Sequence, residues 1–333
     1  MLGVINKRYY LLLSLITLGI AISFAYLLSI ATPSEEAARI RNSLVHQPGQ
    51  IEDFIWNPSS YPADFKVETA LPPPYFQQFI ETLHPDPNMS EFDKFLLAAR
   101  KILDRERLGG PIQSDTVDAL KKMQTKGTGW CSDYTQVFNG IAHTMGIPVR
   151  EWGMSFAGYS GNGHAFNEIF DKKLSKWVFI DTFNAFYVSN PRGDLLSVLE
   201  FRQLLITAPD QLVIHKIIQE QFGFKDNAVA LDYYQRGMPQ LYLIWANDVF
   251  SYDANPLIQL AGSYSRMAEQ ITGILLGINQ EIRLYPDPNS LQQQNELLTL
   301  KYKVISILLL NIILSISFLS ILVKMFNRRG SHG

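Results

Sequence analysis

The sequence predicts an α+β domain carried between two membrane-spanning helices, and three observations predict it. A helix-period stripe beginning near residue 131 runs directly into strand-like segments between residues 147 and 183. Long uncharged apolar runs lie near both ends of the chain. Hydrophobic residues make up 47% of the 333 positions, ample for a sizeable core.

The first apolar run, Tyr9 to Ala31, has 23 residues without a charge, and the second, Val304 to Val323, has 20. Crossing a hydrocarbon core takes about 20 helical residues. Lys7 and Arg8 precede the first run, and Lys324, Arg328 and Arg329 follow the second. That excess of cations puts both termini in the cytoplasm and the domain between them outside the inner (plasma) membrane, periplasmic where an outer membrane is present. A cleaved signal peptide is the alternative for the first run, since "SIA" before Thr32 resembles a small-residue cleavage site; both readings export the domain. The organisation expected is 1–8 cytoplasmic, 9–31 span, 32–89 linker or wrapping segment, 90–193 core, 194–300 helical region, 304–323 span in contact with lipid, and 324–333 cytoplasmic tail.

A net charge of -2 and a pI near 6.3 give no basic field, so nucleic acid is not an expected partner. One cysteine forms no intrachain disulfide and no CxxC zinc site, and HExxH is missing, so neither a metal nor a cofactor is expected. "GYSGNGH" precedes a strand rather than a helix and fails as a phosphate loop; its glycines read as a flexible rim before His164.

"SEEAARIRNSLV" reads as a short helix capped by Ser34, and "LPPPYF" as irregular chain. A helix from Ser90 carries Phe92, Phe95, Leu96, Ala99, Ile102 and Leu103 at helical spacing, and another starts at Ser114. The next, Ser132 to Met145, stripes Tyr134, Val137, Phe138, Ile141 and Ala142 and stops at Gly146. "IPVREWGMSF" reads as a strand, and "HAFNEIF" and "WVFIDTF" as two more joined by the turn "DKKLSK". Leu257 to Ile278 repeats apolar residues at steps of three and four, which predicts one amphipathic helix packed on the domain. The aromatic-rich stretch 233–253 reads either as a roof over the site or as core.

Cys131 stands at the head of a helix, where free N–H groups and the dipole favour a thiolate. A nucleophile needs a base within reach. His143 is twelve residues along the same helix, about 18 Å away, and reads as a surface residue. His332 follows the second span, and His46, His84 and His215 have no acid placed to orient them. His164 does: hairpin pairing about residue 173 sets Asp181 opposite His164, Phe179 opposite Phe166 and Trp177 opposite Glu168, all on one face. A one-residue slip would send Asp181 to the other face. The plain alternative is a structural cross-strand polar pair.

"GTGWCSDYTQVFNGIAHTMGIPVREWG", "GHAFNEIF" and "WVFIDTF" together resemble the transglutaminase-like superfamily over about residues 90 to 190. The resemblance implies a papain-like core, a nucleophile helix packed on an antiparallel sheet, with Cys131 as nucleophile, His164 as base and Asp181 as its orienter. Phe166 stands where the family often has tryptophan, and Thr182 where it usually has proline. The Cys131 N–H is the natural oxyanion donor, with Trp130 or another, unplaced group as a second and Glu168 and Trp177 as supports. The implied activity is acyl transfer through a Cys131 thioester, from a peptide or protein amide such as glutamine to water or to an amine. The competing expectation is an accessory scaffold in a cell-envelope assembly, for instance one handling surface polysaccharide, with envelope proteins as partners.

Overall fold

A computed structural model describes residues 7–112 and 114–330 of the chain. Parts of the two expected cytoplasmic ends, His332 among them, lie outside the described residues. The chain divides into two compact units, one formed by residues up to Leu44 with those from Asn295 onward, the other by Val45–Gln294.

In the first unit the helices Lys7–Ile30 and Leu291–Gly330 are each long and apolar enough to cross a membrane. The second begins well before the apolar run and continues through it as one 40-residue helix. Ser23 Oγ donates to Asn311 Oδ1 (2.7 Å), and Asn311 Nδ2 turns back to the Ile307 carbonyl (2.8 Å), so the two apolar helices share a satisfied polar contact.

The second unit is built on an eight-stranded sheet. Its strands are β1 (His46–Pro48), β2 (Val149–Ser155), β3 (Gly163–Asp171), β4 (Lys176–Asp181), β5 (Phe186–Ser189), β6 (Val213–Lys216), β7 (Leu241–Ile244) and β8 (Ile282–Leu284). They lie in the order β1-β8-β7-β2-β3-β4-β5-β6. Every neighbouring pair is antiparallel except β1 and β8.

The region 194–300, expected to be helical, is therefore mixed: β6 extends one side of the sheet, while β7 and β8 extend the other. Strands of four, four and three residues are too short to show a period in sequence. The single helix expected over 257–278 is two, Pro256–Tyr264 and Arg266–Leu275. Ser265 between them is extended (φ -171°, ψ 155°), and its Oγ accepts from Ala268 N, which starts the second helix afresh.

The β3–β4 hairpin fixes the site, and its register differs from the expected one by two residues. Phe170 pairs with Trp177 and Glu168 with Phe179. The expected register would close the hairpin on Lys172 and Lys173 alone, a two-residue loop that demands positive φ. The loop instead runs over four residues: Asp171 Oδ1 accepts from Leu174 N (3.0 Å), and the positive φ falls on Ser175 (53°). A shift of two preserves the face, so His164, Phe166 and Glu168 still share a side with Trp177, Phe179 and Asp181.

Each face of the sheet carries its own core. One gathers Ile169, Val178 and Ile180 against Phe95, Phe138 and Ile141 of the helices Glu91–Leu103 and Cys131–Thr144. The other packs Trp152, Phe166 and Phe179 against Phe201 and Tyr234. Phe54, Trp56 and Phe65, from the segment preceding the core, are buried in this second cluster. Each such side chain, fully buried, contributes roughly 1.5–3 kcal/mol.

Candidate active site

Cys131 is placed by the chain just before it. Gly127 ends the helix Thr116–Lys126 in the left-handed region (φ 65°). Gly129 is at φ 140°, and a Cβ there would meet the Tyr134 ring at 2.9 Å. The chain then enters the helix Cys131–Thr144 with the cysteine as its first residue. Asp133 Oδ2 accepts from Trp130 N (2.8 Å) and Ile112 N (3.2 Å), tying down this helix start. Further along, Asn167 Nδ2 of β3 donates to Asn139 Oδ1 (2.9 Å), and Thr135 Oγ1 and Asn139 Nδ2 donate to the Glu151 carboxylate of β2 (2.9 Å each). The helix is thus pinned to the sheet by polar contacts as well as by Val137, Phe138 and Ile141, leaving its half-buried thiol beside β3.

His164, the second residue of β3, donates through Nε2 to Asp181 Oδ2 at 2.8 Å, and both side chains are buried. In the observed register they are diagonal rather than directly opposite, a separation an imidazole can bridge. The Cys131 thiol lies close enough to raise the ring's pKa. With Nε2 committed to Asp181, Nδ1 is the nitrogen left for a further partner. Phe166, Phe183, Tyr233 and Tyr234 surround the imidazole, with ring centroids 5.7–6.1 Å away. Burial alone would lower the His164 pKa, but the charge of Asp181, its hydrogen bond and the contact with Cys131 outweigh it and push the value up to about 10. Asp181 moves the opposite way: burial would raise it, and the His164 charge with the bonds from His164, Tyr234 and Asn184 brings it below the usual carboxylate range.

The remaining sequence candidates fall elsewhere. The Trp130 backbone N–H is taken by Asp133, and its side chain is 54% exposed. The Cys131 N–H, at the first helical position, has no acceptor within its own helix. Glu168 and Trp177 belong to the interior: Glu168 pairs with buried Arg150 at 2.6 Å, and Trp177 Nε1 donates to the Trp56 carbonyl at 2.8 Å. Four residues of strand separate Glu168 from His164, roughly 13 Å. His143 is not a surface residue, because its Nε2 bonds the Ala70 carbonyl (3.0 Å) and its ring meets Phe250. His215 stacks on Tyr187 and bonds Ser189 Oγ (2.8 Å). The loop before His164, expected to be a flexible rim, is anchored by fully buried Tyr159 and by Gln240 Oε1, which accepts from Gly158 N at 2.7 Å.

Sequence reasoning missed Asn184 and Tyr234. Asn184 donates to both Asp181 oxygens, through N to Oδ1 (2.9 Å) and through Nδ2 to Oδ2 (2.7 Å). Tyr234 Oη donates to the same Oδ2 at 2.6 Å. Of the stretch 233–253, Tyr233 and Tyr234 stand against the imidazole, while Leu241 and Leu243 are strand residues of the core.

Residues 98–182 match the family model described as the Transglutaminase-like superfamily, a segment that contains Cys131, His164 and Asp181. No curated protein and no solved structure matches the chain. The superfamily includes cysteine peptidases and acyltransferases. Over this segment, about a quarter of its length, the chain is similar to the transglutaminase-like superfamily.

Proposed function

We propose that the protein is a membrane-anchored, extracytoplasmic acyl-transfer enzyme that works through a thioester on Cys131, on a peptide or protein amide. The observation that carries this reading is the position of His164, bonded to a buried carboxylate and close to the half-buried thiol at a helix start. In the first half-reaction the Cys131 thiolate attacks the amide carbon, a C–S bond forms, and the Cys131 N–H steadies the oxyanion. The C–N bond then breaks, and the amine leaves with the proton that the His164 imidazolium held at Nδ1. In the second, His164 takes a proton from water, or from an amine, as it attacks the thioester carbonyl; the acid or new amide departs and the thiolate returns. Asp181 keeps the ring oriented throughout. Water is the favoured acceptor, because a site open to solvent needs no dedicated amine pocket.

The test incubates the full-length protein in lipid nanodiscs with glutamine-containing peptide amides, with and without a primary amine, and follows ammonia release and the mass of Cys131. An acyl adduct on Cys131 is expected, lost in Cys131→Ala, with turnover in His164→Ala reduced about 10³-fold or more. No adduct, together with Cys131 alkylation that ignores His164→Ala, would leave a scaffold in an envelope assembly as the better reading.

A further inference from the structure

Three donors converge on one buried oxygen, Asp181 Oδ2: His164 Nε2 at 2.8 Å, Asn184 Nδ2 at 2.7 Å and Tyr234 Oη at 2.6 Å. Tyr234 comes from the helix Asn227–Gly237, beyond the segment that matches the family. Its ring is packed among Phe166, Phe179, Phe186 and Phe201, so the hydroxyl is a polar atom in an aromatic shell, and Asp181 is what satisfies it. A phenylalanine would fill the same space without that bond.

We propose that Tyr234 is a positioning residue that acts through Asp181: it fixes the carboxylate and shares its oxygen, so that the carboxylate holds the His164 imidazolium less tightly than it would alone. The proposal rests on the reading of Cys131, His164 and Asp181 as a working centre. The physical basis is competition. A carboxylate oxygen that already accepts from a phenol is a weaker acceptor for imidazolium, and the positive end of the O–H dipole lies next to the ring. An imidazolium held too tightly is a poor acid toward the departing amine.

The groups facing His164 are few. Asp181 and Asn184 approach from β4 and the turn after it, Cys131 from its helix, Tyr233 and Tyr234 from Asn227–Gly237, and the rings of Phe166 and Phe183 complete the shell. One step further out, Arg107 lies over the Phe183 ring at 5.2 Å and Arg236 acts on Tyr233. Neither contacts the imidazole, so Tyr234 and Asn184 are the two neutral side chains that modulate the pair directly.

The experiment measures the rate of Cys131 alkylation by iodoacetate against pH, on the full-length protein in nanodiscs. This anionic reagent is drawn to an imidazolium, so the rate falls at high pH as His164 loses its proton. Tyr234→Phe is expected to move that upper limb upward by about half a unit to one unit, because a dipole opposing the imidazolium has gone. Asn184→Ala is expected to move it the same way, and it decides the matter if Tyr234→Phe does not fold. A loss of packing alone would lower thermal stability without moving the limb. A wild-type limb that the folded variants leave in place or lower overturns this proposal alone. A wild-type profile with no upper limb overturns the enzyme reading, and this proposal with it.

Discussion

Two buried carboxylates hang from the same β3–β4 hairpin, Glu168 and Asp181, and they are wired to opposite ends. Glu168 takes Arg150 Nε at 2.6 Å, Trp152 Nε1 at 2.7 Å and Val198 N at 2.7 Å. The Arg150 guanidinium is in turn covered by Trp177, Trp56 and Trp152. Besides Glu168, its charge meets these three rings and feels the phenol of Tyr61. Asp181 is equally buried, but its partner is an imidazole that has the half-buried Cys131 close by. Both nodes pay the desolvation of a charge, yet only one neighbours a thiol. The proposed chemistry therefore rests on what lies beside the carboxylate's partner; burial and residue type do not distinguish the two nodes.

Exchanging the carboxylates for neutral groups should break the two nodes in different ways. Asp181→Asn is expected to lower turnover of amide substrates by about 10²- to 10⁴-fold, since the ring loses its orienting partner; steady-state kinetics on the folded variant checks it, and near-wild-type turnover would return Asp181 to a structural role. Glu168→Ala strands Arg150 in the core and is expected to cost about 3–5 kcal/mol in denaturant unfolding, while each molecule that remains folded keeps its Cys131 reactivity.

A third and smaller effect sharpens the contrast through pH. The folded His164 pKa of about 10 lies above the ordinary value of 6.5, so its contribution to stability is complete below that lower value and is lost as pH rises through the higher one. Asp181, held low, contributes in the other sense: its share is present above the ordinary carboxylate pKa and lost as pH falls through the folded value. Between these two pKa values of His164, wild type should lose stability relative to His164→Ala by at most ~1.4 kcal/mol per pH unit. Parallel stability curves for the two proteins would show that the imidazole is not charged in the folded state.

The placement of Cys131 at a helix start and of His164 and Asp181 on one sheet face was legible because each depends on short-range pattern: a helix start after two glycines, and two strands whose alternation sets the face. The two-residue register error entered at the loop, where Ser175 rather than a lysine takes the positive φ and Asp171 caps the turn. Asn184 left a faint signal, an amide three residues after an aspartate, close enough for its N–H to reach Oδ1. Tyr234 left none, since nothing local shows that a phenol 53 positions away meets Asp181. Strands β6, β7 and β8 were hidden by brevity, and the helix break at Ser265 by apolar periodicity that continues across it.

The edge of the sheet carries one more consequence. β1 opens the second unit and β8 lies near its close, and the two run parallel, His46 beside Ile282 and Pro48 beside Leu284. Drawing the two ends of this unit apart would pull β1 from its beginning and β8 from its end, sliding one strand along the other. All rungs of that short ladder would then bear the load at once instead of peeling in turn.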